Sequence, residues 1–108
     1  MAERKTDIDG ILNHLKEYIN ILKINNFPIE SAYLIGSYAK DSYDEWSDID
    51  VVLVSKCFAG IRLFDKDKIR RLTLDFDSNI SPLPYNPDDF NSNDLFVREI
   101  KNSGIAII

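Results

Sequence analysis

Apolar residues in the first quarter of the chain recur every three or four positions, a spacing typical of one face of a helix. Thr6 or Asp7 supplies a capping side chain at its start, and Pro28 ends it because proline disfavours helical geometry in the preceding residue. The apolar stripe comprises Ile8, Ile11, Leu12, Leu15, Ile19 and Leu22. We therefore predict one long amphipathic helix, followed by a strand over residues 29–35.

Residues 48–55 form the clearest strand of the sequence. They contain four consecutive apolar residues, Val51 to Val54, as expected for a strand that is covered on both faces. Gly36 and Ser37 interrupt the preceding strand, and the segment between the two apolar runs is polar. The first half of the chain thus predicts a strand, a short crossover and a second strand.

The segment that follows predicts a short helix and an extended stretch. The helix covers residues 65–75, with Asp65 as its cap. Residues 79–85 include Pro82 and Pro84, which lack the N–H group that a central strand needs. We therefore predict that this stretch is an edge strand.

The last quarter predicts a single helical turn and a second amphipathic helix. Pro87 suits the first position of the turn, and the helix covers residues 95–103. Gly104 follows in the position where a helix commonly ends on a left-handed residue. We expect the tail, residues 105–108, to add a short strand or to dock on the core. The side chains predicted to face inward are Leu95, Phe96 and Ile100.

Length and composition favour one small domain of the α/β class. The chain has 108 residues, of which 44% are hydrophobic, and it has no apolar run long enough to span a membrane. Its N-terminal segment lacks the apolar stretch of a signal peptide, and the lone Cys57 cannot form an internal disulfide. We expect a single domain over residues 1–108, a small mixed sheet flanked by helices, and a cytoplasmic location.

The charge balance disfavours a nucleic-acid partner. The net charge is −5, whereas binding to a phosphate backbone requires an extended basic surface. The basic cluster is confined to Lys66, Lys68, Arg70 and Arg71, which we interpret as the solvated face of a helix. A metal ion or a cationic partner suits this chain better.

Candidate chemistry lies at the start of the second strand. Asp48 and Asp50 are two residues apart, so their side chains point to the same face of a strand. Two carboxylates beside a buried strand are costly unless they are paired, and a divalent cation is the usual partner. Gly36 and Ser37, which ten residues separate from Asp48, could offer backbone N–H groups to a phosphate. Metal and phosphate together indicate nucleotide chemistry.

This pattern resembles the nucleotidyltransferase superfamily that includes DNA polymerase β. The resemblance rests on Gly36-Ser37, the ten-residue spacer that ends with Ser47, and Asp-Ile-Asp ending at Asp50, and it extends over residues 8–108. The length and the N-terminal helix are similar to those of the minimal nucleotidyltransferases. The resemblance implies a polymerase β palm-like fold, with Mg²⁺ as cofactor, two ions being possible, and ATP or another nucleoside triphosphate as substrate.

The family also implies a role for each matching position. Asp48 and Asp50 would be catalytic and would bind the metal, and Gly36 with Ser37 would contact the β- and γ-phosphates. Lys40 would reach a phosphate, and Ser47 would fix the loop that enters the aspartate strand.

The sequence departs from the family where a third carboxylate is expected. That position is Ser81, and serine is neither a strong base nor an anionic metal ligand. Asp77 or Asp75 could supply the acid instead, or it is absent. Asp41 is a second departure, since the family often has glycine there and a carboxylate would repel a phosphate.

Two functions remain open from the sequence. The first is Mg²⁺-dependent transfer of a nucleoside monophosphate, most simply AMP from ATP, to a hydroxyl, and the resemblance implies a small helical partner of the HEPN class in a toxin–antitoxin-like module. The second is a catalytically weak or inactive nucleotide- and metal-binding antitoxin or partner subunit. The apolar tail and Phe96 either pack on the core or cover a surface between copies of the chain or with a partner.

Overall fold

The fold is a four-stranded mixed sheet with helices on both faces, seen in a computed structural model that describes residues 2–39, 48–91 and 94–108. The predicted α/β class with a small mixed sheet flanked by helices is confirmed. No helix in this described part of the chain is both long and apolar enough to cross a membrane. In chain order the elements are α1 (Ala2–Ile24), β1 (Ser31–Ile35), α2 (Gly36–Ala39), β2 (Ile49–Val54), α3 (Arg62–Phe76), β3 (Ile80–Tyr85), α4 (Pro87–Phe90), α5 (Leu95–Ser103) and β4 (Ile105–Ala106).

The strand order, β3-β2-β1-β4, places the aspartate strand in the centre of the sheet. β1 is antiparallel to β2, and Ile35 pairs with Asp50. β3 is parallel to β2, and Ser81 pairs with Asp50 from the other side. Asp50 therefore lies between the end of β1 and the start of β3.

β3 is an edge strand, as its two prolines predict. The carbonyl groups of Asn79 and Tyr85 accept hydrogen bonds from the β2 side. Because successive residues of a strand direct their backbone groups to opposite sides, Pro82 and Pro84 turn theirs to the free edge. Both prolines thus occupy positions where the missing N–H costs the sheet no hydrogen bond.

The two faces of the sheet carry separate apolar clusters. Val51 and Leu53 face the larger cluster, to which α1 and α3 contribute, whereas Val52 and Val54 face a smaller one under α4 and α5. Asp50 is two residues before Val52 and four before Val54, so its side chain lies on the same face of the sheet as theirs, the face covered by α5. The tail prediction is confirmed, since β4 pairs with β1 and Ile107 is buried.

The prediction that Asp65 caps α3 is wrong, because the helix begins three residues earlier. Its N-cap position is Ile61, and Asp65 lies fully buried within the first turns. The Asp65 carboxylate accepts hydrogen bonds from the backbone N–H groups of Ala59 (2.8 Å) and Gly60 (2.9 Å). It therefore anchors the loop that precedes the helix.

The predicted orientation of α5 is also partly wrong. Leu95 is 76% exposed and Phe96 45% exposed, while Val97 and Ile100 are the buried residues of this helix. The apolar side is rotated toward Val97, because Val97 and Ile100 are the residues of α5 that join the smaller apolar cluster with Val52 and Val54. Gly104 has extended geometry (φ −76°) instead of a left-handed one, and a side chain there would collide with the carbonyl oxygen of Ile100.

We expect Asp65→Asn to lower the free energy of unfolding by about 2–4 kcal/mol. The amide nitrogen cannot accept a hydrogen bond, so one of the two buried backbone N–H groups would lose its acceptor. Burial alone would raise the pKa of the Asp65 carboxyl, but the bonds from Ala59 and Gly60, together with Lys68, lower it below its usual value. This stabilisation is therefore fully present above the ordinary carboxyl pKa and is lost as the pH falls through the lowered one.

Urea denaturation of the wild type and the variant measures this difference, which should shrink below about pH 4. The exposed Asp75 on the same helix provides the control, since Asp75→Asn should change stability by less than about 0.5 kcal/mol. Equal stability of the Asp65 and Asp75 variants at neutral pH would contradict the anchoring role.

Candidate functional site

Gly36 packs directly against the carboxylate of Asp50 at the candidate site. α2 begins directly after β1, and Gly36 makes this turn with a φ of +74°, a value that residues with a side chain rarely adopt. A Cβ atom at this position would stand 2.5 Å from the Oδ2 atom of Asp50. Glycine is thus required both by the backbone turn and by the carboxylate beside it.

Asp48 and Asp50 form an electrostatically coupled pair. Burial raises the pKa of the Asp50 carboxyl, the negative charge of Asp48 raises it further, and Lys66 partly opposes them. Asp48 lies exposed just before β2, whereas Asp50 is half-buried within it. The chain folds in this way because the apolar run after Asp50 fixes β2 in the sheet and brings both acids to its entrance.

The donor set at this pair fits a divalent cation. Neither side chain hydrogen-bonds to another residue in the described part of the chain. Mg²⁺ prefers one or two carboxylates and completes its shell with water and phosphate oxygens. Among the side chains that the structure describes, no group of three or more His, Cys, Asp or Glu could hold a metal. A cation here would therefore rely on Asp48, Asp50 and oxygen atoms of a ligand.

Two cavities meet at Ser81. The first, about 420 Å³ in volume, lies between α3 and the start of β3, and Asp48, Lys66 and Arg70 are among its lining residues. The second, about 380 Å³, lies on the α5 face and includes Asp50 with Gly36 at one side and Phe96 with Glu99 at the other. Both volumes are within the range of small-molecule sites. We call the first the α3 cavity and the second the α5 cavity.

Ser81 occupies the position at which the third acid was expected. It pairs with Asp50 across the parallel β2–β3 ladder and lines both cavities. Ser81 therefore lies beside Asp50, and its side chain has no charge. Lys40, Ser47 and Asp41 lie outside the described residues, and Ser37 follows Gly36 in α2.

The two alternative acids point elsewhere. The Asp77 carboxylate hydrogen-bonds to the Nε2 atom of His14 (2.8 Å) and to the backbone N–H of Asn79 (2.9 Å). His14 also stacks on Phe76, on the α1–α3 side of the sheet, opposite Asp50. Asp75 is exposed on α3. His14 and Asp77 thus tie α1 to the end of α3, and neither Asp77 nor Asp75 is among the described residues that line the two cavities.

The location of Lys66 and Arg70 beside the candidate site was not predicted from the sequence. Their spacing of four residues puts them on one side of α3, but only the fold shows that this side forms a wall of the α3 cavity, with Asp48 and Ser81 opposite. Phe96 and Glu99 were missed for a similar reason, because the orientation of α5 on the sheet was predicted differently.

Comparisons with known proteins agree with this architecture. The family model of the nucleotidyltransferase domain matches residues 15–107. A candidate protein adenylyltransferase of Methanocaldococcus jannaschii is 33% identical over 104 residues, which is 93% of this chain and 97% of that protein.

Two solved structures share the fold. One is a candidate nucleotidyltransferase from Sulfolobus solfataricus, with a TM-score of 0.61 and 20% identity, covering 95% of this chain and 84% of the other. The second is a toxin–antitoxin structure with AMP-PNP, with a TM-score of 0.61 and 18% identity, covering 90% of this chain and 72% of that one. Because the family model spans most of the sequence, the chain belongs to the nucleotidyltransferase domain family, in its minimal, DNA polymerase β-like group.

Proposed function

We propose that this protein transfers AMP from ATP to a hydroxyl group in a Mg²⁺-dependent reaction. The observation that carries the proposal is the packing of Gly36 against the carboxylate of Asp50, with Asp48 beside it. This arrangement places a turn suited to phosphates next to a pair of acids suited to a cation. The relative from M. jannaschii, whose name describes a candidate protein adenylyltransferase, supports AMP as the transferred group.

In this proposal Asp48 and Asp50 would hold Mg²⁺, and Gly36 with Ser37 would hold the β- and γ-phosphates, with Lys40 and Ser47 assisting. Bound Mg²⁺ supplies charge stabilisation for the phosphate oxygens during in-line displacement. The acceptor oxygen bonds to the α-phosphorus, the bond from that phosphorus to the pyrophosphate oxygen breaks, and the hydroxyl proton passes to solvent. Ser81 can donate or accept a hydrogen bond to the acceptor, but it does not act as a strong base.

We propose that the acceptor is a protein, and specifically a small helical protein of the HEPN class. The relative from M. jannaschii, whose name describes a candidate protein adenylyltransferase, supports a protein acceptor. The fold shared with a toxin–antitoxin structure that contains AMP-PNP supports a two-component module. The cytoplasm suits such a reaction, because ATP is abundant there and Cys57 remains reduced.

A second candidate is a nucleotide- and metal-binding partner subunit with little or no turnover. Ser81 favours it, because the position facing Asp50 carries no third carboxylate. In that case the protein would act by forming a complex, and partner binding would survive loss of both aspartates.

The direct test is incubation with ATP labelled at the α-phosphate, Mg²⁺ and a small helical protein of the HEPN class. We expect label in the partner and release of pyrophosphate, and neither when Mg²⁺ is removed by a chelator. Matched reactions with label in the γ-phosphate distinguish AMP transfer from phosphoryl transfer. ATP binding without labelled product, together with a stable complex, would favour the second candidate and contradict the first.

A further inference from the structure

One side of α3 carries a row of side chains next to the candidate site, three of them exposed and one, Lys66, half-buried. Leu63, Lys66, Arg70 and Leu74 are spaced by three, four and four residues, which places them in one row along a helix. All four line the α3 cavity with Asp48 and Ser81. The adjacent side of the helix contributes the buried residues Asp65, Ile69 and Thr73, and Thr73 also lines the α3 cavity. We call the row of Leu63, Lys66, Arg70 and Leu74 the α3 stripe.

The α3 stripe combines uncovered apolar surface with two cations, of which Lys66 also acts electrostatically on the Asp50 carboxyl. Leu63 is 82% exposed and Leu74 53% exposed. Lys66 and Arg70 form no hydrogen bond or ion pair with a described residue, unlike the neighbouring Lys68, which bonds to the carbonyl of Cys57 and lies 3.4 Å from Asp65. Exposed apolar side chains next to an arginine are found at surfaces that contact another polypeptide.

The stripe lies on the side from which an acceptor would approach. Asp50 has the end of β1, with Gly36, on one side and Ser81 on the other. In an in-line displacement the entering and leaving oxygens lie on opposite sides of the phosphorus. If the pyrophosphate is held at Gly36, the acceptor hydroxyl enters from the Ser81 side, where the α3 cavity opens.

From this geometry we propose that the α3 stripe binds an acidic segment of the acceptor protein, with apolar residues against Leu63 and Leu74 and carboxylates against Lys66 and Arg70. The inference rests on the proposed function for the direction of approach. Asp67 also lines the cavity and would repel an acidic segment, so the segment must reach the two cations on either side of it. The cations thereby select the acceptor and position its hydroxyl near Ser81.

A nucleic acid suits this surface less well than a peptide. The chain has a net charge of −5, and two cations flanked by Asp48 and Asp67 cannot follow a phosphate backbone. Exposed leucines without an aromatic residue in the stripe offer no stacking platform for bases.

The test measures binding of two fluorescent peptides to the full chain by anisotropy, without ATP or Mg²⁺. The peptides share leucine and tyrosine residues and differ only in carrying glutamates or lysines. Since the protein is acidic overall, non-specific attraction would favour the lysine peptide. We expect the glutamate peptide to bind at least about tenfold more tightly.

The variant Lys66→Glu/Arg70→Glu should weaken binding of the glutamate peptide by at least about tenfold. The matched control, Lys16→Glu/Lys23→Glu, makes the same charge change at exposed positions of α1 and should alter it by less than about twofold. Equal or tighter binding of the lysine peptide, an unchanged affinity of the α3 variant, or tighter binding of an RNA oligonucleotide would overturn the inference. Because the binding assay contains no nucleotide, its result does not depend on whether the protein transfers AMP.

Discussion

Asp50→Asn should abolish nucleotidyl transfer, reducing kcat/KM for ATP by at least about a thousandfold, which corresponds to about 4 kcal/mol of transition-state stabilisation. The amide keeps the shape of the side chain but cannot supply an anionic metal ligand. Gly36 packs against Asp50, and Asp50 pairs with both Ile35 and Ser81, so it is the acid that the sheet holds in a fixed position. Steady-state kinetics with labelled ATP measure the effect.

Loss of activity must be separated from loss of fold. In the metal-free protein the variant should unfold at the same or a higher temperature than the wild type, because it removes a half-buried charge that Asp48 repels. Addition of Mg²⁺ should raise the Tm of the wild type and leave that of the variant unchanged. Asp88→Asn, at an exposed position of α4, should retain full activity. More than a tenth of wild-type activity in the Asp50 variant would show that the metal is held elsewhere.

Gly36→Ala should have the second largest effect. The new Cβ would lie 2.5 Å from the Asp50 carboxylate, and the backbone would keep a φ of +74° that alanine adopts at a cost of about 1–3 kcal/mol. Either the turn or Asp50 must shift, and a displacement of about 1 Å at a reacting centre lowers the rate by about a hundredfold. We expect both a lower free energy of unfolding and this loss of kcat.

Gly10 provides a matched control for that substitution. It lies in the interior of α1, and a Cβ there would meet no atom within 4 Å. Gly10→Ala should therefore raise stability by about 0.5–1 kcal/mol and leave transfer unchanged. If Gly36→Ala behaves like Gly10→Ala, the contact between Gly36 and Asp50 has no role in the reaction.

The sequence predicted the parts of the fold that depend on local patterns. The β2 strand followed from its apolar run, the edge position of β3 from Pro82 and Pro84, and the turn of α4 from Pro87. The pairing of Ser81 with Asp50 was not predicted, since no periodicity relates positions 31 residues apart, and the family resemblance indicated only that a third acid was expected at Ser81. The likeness to minimal nucleotidyltransferases is confirmed at the level of family, while the roles of the individual site residues stay predictions.

The predictions that were wrong share a physical cause. Local sequence patterns do not determine which side of a short helix is buried, and tertiary packing does. The short helix α5 has apolar residues on more than one side, and only its packing into the smaller apolar cluster buries Val97 and leaves Leu95 exposed. Asp65 carries the signature of a cap, but its partners are the N–H groups of a preceding loop whose path the sequence does not define. Lys66 and Arg70 could be assigned to the cavity wall only once β3 was known to lie parallel to β2.

The outer edge of β3 has a consequence for how this protein assembles with others. Pro82 and Pro84 have no N–H to donate, and the N–H of Ile80 is bonded to the carbonyl of Asp77, so this edge offers acceptors without donors. At the other end of the sheet, β4 is only two residues long. A partner therefore cannot extend the sheet by strand addition along β3, and recognition there must use side chains, a form of contact that discriminates by sequence and can be reversed.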